Sequence, residues 1–220
     1  MEPIRFETSH GLSLEGELRR PTTEPVASAI ICHPHPLQGG SKDHPILWAI
    51  RNELAHRGFV VLAFNFRGVM ASEGEYGGGV GETLDARAAL DRVRKEAEGP
   101  SVVTGVSFGA DVALRLALED DRVAALALVG FVEEYAERPE FPSDEQLAAF
   151  ERPVLFLSGK RDRFSTPGAI RAMAVKLPNG EAVILEEADH LFFRREREAA
   201  AVVADFAERF GTPTPRPATS

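Results

Sequence analysis

Apolar residues along this chain recur in two rhythms that alternate from one end to the other. Short, nearly unbroken runs such as Ala27–Cys32, Phe59–Phe64 and Val123–Val129 have the length and composition of strands buried on both faces. Val102–Gly105, Pro153–Leu157 and Ala182–Leu185 read the same way. Between them lie stretches with helical spacing: Pro45–Arg57 stopped by Gly58, Glu82–Ala97 with Leu84, Ala88 and Val93 facing inward, Ala110–Glu119, Pro167–Lys176 and Arg195–Phe210. At the start, Ile4–Thr8 and Leu12–Arg19 flank Ser9-His10-Gly11 as an opening hairpin. Strands that alternate with helices predict an α/β fold, a mostly parallel sheet covered on both faces. Ligands in such sheets bind at the carboxyl ends of the strands, so chemistry is expected in the turns that follow them.

One of those turns carries Gly105-Val106-Ser107-Phe108-Gly109, with a strand running in and a helix running out. That is the context of a nucleophile elbow, and it makes Ser107 the candidate nucleophile and the Phe108 N–H a candidate oxyanion donor. The glycines are expected at 105 and 109 because side chains there would strike the neighbouring strand and helix. A serine hydroxyl needs a base, and the expected chain order is nucleophile, acid, histidine. Of six histidines only His190 follows Ser107, in the loop after the strand Ala182–Leu185. Asp162, just past Leu157, is the candidate acid, with Glu133 and Glu134 as rivals; Asp189 is read as a loop residue because sequence neighbours in extended chain point apart. The strand ending at Cys32 leads into His33-Pro34-His35-Pro36-Leu37-Gln38-Gly39-Gly40, the expected source of a second oxyanion donor. Pro34 and Pro36 have no N–H, which leaves Leu37 as the favoured donor and His35 as the alternative.

Composition narrows the class further. The net charge is −9 over 220 residues, which lacks the basic footprint of a nucleic-acid binder, so no nucleic-acid partner is expected. No apolar run reaches the length of a membrane span, and no secretory signal is read at the N-terminus; the expectation is a cytoplasmic protein without a membrane partner. A single cysteine, Cys32, excludes an internal disulfide, and the histidines beside it lack ligand spacing, so no metal is expected. One domain is expected over residues 1–211, followed by a flexible proline-rich tail at 212–220. The 130–152 segment, after the strand ending at Val129, is too short to build a large cap over the site and holds at most a short helix at Asp144–Phe150. An open site for small acyl groups follows. Oligomeric state is not legible.

Taken together, Cys32-His33-Pro34-His35-Pro36-Leu37-Gln38-Gly39-Gly40, Phe64-Asn65-Phe66-Arg67-Gly68-Val69 with Ser72-Glu73-Gly74, the elbow, Gly159 with Asp162, and Asp189-His190 resemble the small bacterial α/β-hydrolases related to dienelactone hydrolases, over about residues 4 to 210. The resemblance implies an eight-stranded, mostly parallel sheet, ester hydrolysis and no cofactor. It also implies Ser107, Asp162 and His190 as a triad. The sequence departs from the group twice. Dienelactone hydrolases proper carry cysteine at the elbow, so dienelactone is not assumed as the substrate. Members commonly carry glycine where this chain has Met70, which puts an apolar side chain in a loop expected to border the substrate. Arg67 is read as a loop anchor. A thioesterase or small-peptide hydrolase would use the same residues, and a catalytically silent binding module would keep the fold alone.

Overall fold

A computed structural model describes residues 1–137 and 141–211. The expected proline-rich tail, 212–220, lies outside the described residues. In chain order the strands are β1 (Glu2–Glu7), β2 (Ser13–Arg19), β3 (Ala27–Cys32), β4 (Phe59–Phe64), β5 (Ser101–Val106), β6 (Val123–Val129), β7 (Val154–Gly159) and β8 (Gly180–Leu185). They form one eight-stranded sheet in the order β1-β2-β4-β3-β5-β6-β7-β8. β1 and β2 form the antiparallel opening hairpin, β2 pairs antiparallel with β4, and every pairing from β4 to β8 is parallel.

The helices are α1 (Pro45–His56), α2 (Val80–Val93), α3 (Phe108–Glu119), α4 (Asp144–Ala148), α5 (Pro167–Ala174) and α6 (Glu196–Gly211). Because successive side chains leave a strand on opposite faces, each central strand feeds two cores. Ile30 and Cys32 of β3 join the core under α2, α3 and α5, which includes Leu90, Val112 and Ile170. Ala29 and Ile31 join the core under α1 and α6, with Ile50, Leu54, Val203 and Phe206. This double covering is why β3 to β7 read as largely apolar runs.

Helix α2 sits differently from its predicted placement. It starts two residues earlier and ends four earlier than Glu82–Ala97, and it turns Asp85 inward while Leu84 is only half-buried. An ion pair explains the rotation. Arg67 donates to Asp85 through Nε at 3.1 Å and Nη2 at 2.7 Å, and the Arg67 amide donates to Asp85 at 2.9 Å. Arg67 is thus an anchor, but on a helix carboxylate rather than on loop carbonyls. That hydrogen-bonded carboxylate also raises the guanidinium's pKa above its ordinary value. Glu82 accepts from the Gly77 and Gly79 amides at 2.7 Å each, satisfying donors at the start of the helix.

The segment between β6 and β7 contributes, among the described residues, a single turn of 3₁₀-helix at Glu133–Glu137 and the five-residue α4. Its described residues build no lid. No helix among the described residues is long and apolar enough to cross a membrane.

Candidate active site

All the parallel strands end at one edge of the sheet, and the winding reverses between β3 and β5. Crevices form at such a reversal, where the flanking connections leave in opposite directions. Ser107 follows β5 at this point. Its backbone has φ 55° and ψ −117°, a region that an L-residue enters only at a cost. The strain is enforced from both sides. A Cβ at Gly105 would lie 2.0 Å from the Gly109 carbonyl oxygen, inside the elbow itself. A Cβ at Gly109 would lie 2.3 Å from the Cys32 carbonyl oxygen at the end of β3. The elbow therefore closes only with glycine at both positions. The turn is further tied by the Ser107 amide donating to Val129 at 2.8 Å.

His190 and Asp162 arrive from the ends of β8 and β7. His190 Nε2 stands 2.9 Å from Ser107 Oγ, and His190 Nδ1 stands 2.9 Å from Asp162 Oδ2. The three residues expected from chain order are thus joined in one line of hydrogen bonds. Ser107 is 8% exposed and the Asp162 side chain is fully buried. The carboxylate's other oxygen accepts from the Phe164 amide at 2.8 Å, which fixes its plane. His190 is held by its loop: Ala188 and Phe192 on either side are fully buried, and the Arg161 amide donates to the Ala188 carbonyl at 2.9 Å. The Phe164 ring packs on the imidazole with centroids 4.5 Å apart, and Gly130 lies beneath, where a Cβ would come 2.8 Å from the His190 carbonyl oxygen.

The rival acids sit elsewhere. Glu133 accepts from the Thr166 amide at 3.4 Å and Glu134 is exposed to solvent. Asp189, read as a loop residue, accepts from the Phe193 amide at 2.9 Å and caps its own turn.

The oxyanion loop departs from expectation. Pro36–Gln38 form a 3₁₀ turn in which the Leu37 amide donates to His35 Nδ1 at 3.2 Å. The favoured second donor is therefore spent on capping its own turn, and the Leu37 side chain faces solvent. The Gln38 and Gly40 amides are also committed, to the His35 carbonyl, at 3.0 and 3.1 Å. With Nδ1 accepting, the proton of the neutral His35 ring is on Nε2, which faces the Tyr76 hydroxyl at 3.2 Å. The His35 ring sits 5.0 Å from both the Tyr76 and Phe108 rings, so the loop packs directly on the elbow. At the elbow, Phe108 is the first residue of α3, where an N–H has no intrahelical acceptor.

Met70 is 75% exposed, with φ 52°. A left-handed backbone suits glycine better than a residue with a side chain. Met70→Gly is expected to raise the Tm by about 1–3 °C, because relief of a strained φ outweighs the extra chain entropy by roughly 0.5–1 kcal/mol. A thermal melt checks this, and a lower Tm would contradict it.

Cys32 is fully buried, and burial pushes its thiol above the ordinary range, with Asp85 adding in the same direction. It packs as a small apolar residue. Sequence reasoning missed Tyr76 and Phe164, which carry no spacing signal. It also left His33 and Asn65 without a role, although both lie in segments it singled out.

A hydrogen-bonded serine–histidine–aspartate line at the carboxyl edge of a doubly covered, mostly parallel sheet defines an α/β-hydrolase. Residues 28–209 match the family described as an alpha/beta hydrolase domain, and the chain belongs to that family. It is 25% identical to the lidless a/b serine hydrolase XC6422 of Xanthomonas campestris, with a TM-score of 0.82 over 97% of this chain and 96% of that one. An alpha-beta serine hydrolase homologue from Coxiella burnetii is 28% identical, with a TM-score of 0.80 over 93% and 96% of the two chains. An uncharacterized protein of Rickettsia prowazekii, RP471, is 27% identical over 94% of this chain and 88% of its own length.

Proposed function

We propose that this α/β-hydrolase is a serine hydrolase that cleaves small carboxylic esters through an acyl-enzyme. The observation that carries the reading is the unbroken line from Asp162 through His190 to Ser107, with both spacings at 2.9 Å. In this reading His190 Nε2 takes the hydroxyl proton as Ser107 Oγ attacks the ester carbonyl. Asp162, fixed by the Phe164 amide, keeps the Nδ1 proton in place and stabilises the imidazolium that forms. The oxyanion is met by the Phe108 amide and, with Leu37 committed to its own turn, by the amide of His35. His190 then protonates the leaving alkoxide, and water repeats the sequence in reverse to free the acid.

The small-acyl preference rests on the short connection between β6 and β7, which leaves little protein to enclose a long chain. The likeness to a lidless serine hydrolase agrees with it. The test is a panel of p-nitrophenyl esters from acetate to dodecanoate beside matched acyl thioesters. The reading predicts the highest kcat/KM among acyl groups of about two to six carbons, with esters ahead of thioesters. A kcat/KM rising steadily to dodecanoate would sink the small-acyl part; turnover confined to thioesters would replace the ester.

A further inference from the structure

His33 is fully buried just past the end of β3, with its carbonyl against Gly109 of the elbow and its ring outside the hydrogen-bonded line. Its ring meets two backbone groups of opposite kind. Nδ1 lies 2.6 Å from the Pro34 carbonyl oxygen, and Nε2 accepts from the Phe66 amide at 3.1 Å. A carbonyl can only accept and an amide can only donate, so the ring that satisfies both is neutral and carries its proton on Nδ1. Burial favours the same neutral form, holding the imidazole down at about 4, with His44 and His35 adding to the depression and the Pro34 contact opposing it.

The Pro34 carbonyl and the His35 N–H belong to one planar peptide unit. In a trans peptide the two point in opposite directions, so fixing one aims the other. The carbonyl end of that unit is also hemmed in, since a Cβ at Gly40 would stand 2.0 Å from the Pro34 oxygen. A second tie joins the same two segments: the Lys42 amide donates to Asn65 Oδ1 at 2.7 Å, and Asn65 Nδ2 donates to Glu15. The turn after β4 and the loop after β3 therefore form one assembly, with the His33 ring between them.

We propose that His33 is a positioning residue for the oxyanion site: with Nε2 occupied by the Phe66 amide, its Nδ1–H holds the Pro34 carbonyl and so aims the His35 N–H at the developing oxyanion. This rests on the ester-hydrolase reading above. It gives the His-Pro-His-Pro loop and the Asn65-Phe66 turn a shared purpose.

Two measurements test it. Ring ¹⁵N spectra at pH 7, with the His33 signals assigned by their loss in His33→Phe or His33→Leu, should show a neutral ring protonated on Nδ1. Protonation on Nε2, or on both nitrogens, overturns the proposal. In p-nitrophenyl acetate hydrolysis, His33→Phe keeps ring bulk but neither nitrogen. It should lower kcat by roughly ten- to a hundredfold with KM within about threefold, the signature of a donor moved only where charge develops. His33→Asn, which can place an N–H near the Nδ1 position, should recover several-fold over its isostere His33→Leu; this pair carries the comparison if His33→Phe fails to fold. A kcat of His33→Phe within threefold of wild type, or His33→Asn no better than His33→Leu, overturns the role of His33 alone. Wild-type protein that hydrolyses no ester overturns the hydrolase reading, and His33's role with it.

Discussion

Asp162→Asn is expected to lower kcat on a short ester by about 10³–10⁴-fold while leaving the fold in place. Asparagine fits the same volume, and its amide oxygen can still accept from the Phe164 amide. The side-chain nitrogen would then face His190 Nδ1 as a donor. That contact survives only if the imidazole moves its proton to Nε2, where it can no longer take one from Ser107. The negative charge that stabilises the imidazolium is also lost. Near-UV circular dichroism unchanged beside a collapsed kcat is the expected pair of results. A variant within tenfold of wild type would mean that another carboxylate serves His190.

Gly109→Ala is expected to cost about 3 kcal/mol or more and to lower the Tm by roughly 6–12 °C. The added methyl would sit 2.3 Å from the Cys32 carbonyl oxygen and 2.7 Å from that of His33. Both are backbone atoms at the end of a central strand, so neither can swing aside as a flexible side chain would. Relief requires β3 and the elbow to part, which would also carry the 33–40 loop away from Ser107. Gly168→Ala is the control of opposite sign. It lies near the start of α5 with only Thr166 Oγ1 at 3.9 Å, and there alanine should stabilise by up to about 1 kcal/mol. Equal effects at the two sites would contradict the packing account of the elbow.

The strands buried on both faces were the most legible part of the chain. β3, β4 and β6 begin and end where their apolar runs do, because a strand covered by helices on both sides admits few polar residues, and the one in β3, Ser28, is paired with Ser101 at 2.8 Å. Helix α2 was less legible, since the sequence gives no sign that Arg67 draws Asp85 inward and turns Leu84 outward. In the site, the order serine, aspartate, histidine along the chain identified the three residues now found in line. The state of the loop donor was not legible for a local reason: the Leu37 amide is taken up by the ring of a histidine two residues earlier, a side-chain contact that no spacing rule encodes. The same holds for His33. Its motif stood out, but its partner Phe66 is 33 residues away and is reached only through the pairing of β3 with β4.

The central claim is that Ser107 Oγ is the atom that attacks. Its most direct test is intact-mass and peptide mapping after treatment with a fluorophosphonate, comparing wild type with Ser107→Ala. One phosphonyl group per wild-type chain, located on Ser107 and absent from Ser107→Ala, is the predicted result. An unlabelled wild-type chain, or a label that persists in Ser107→Ala, would contradict it.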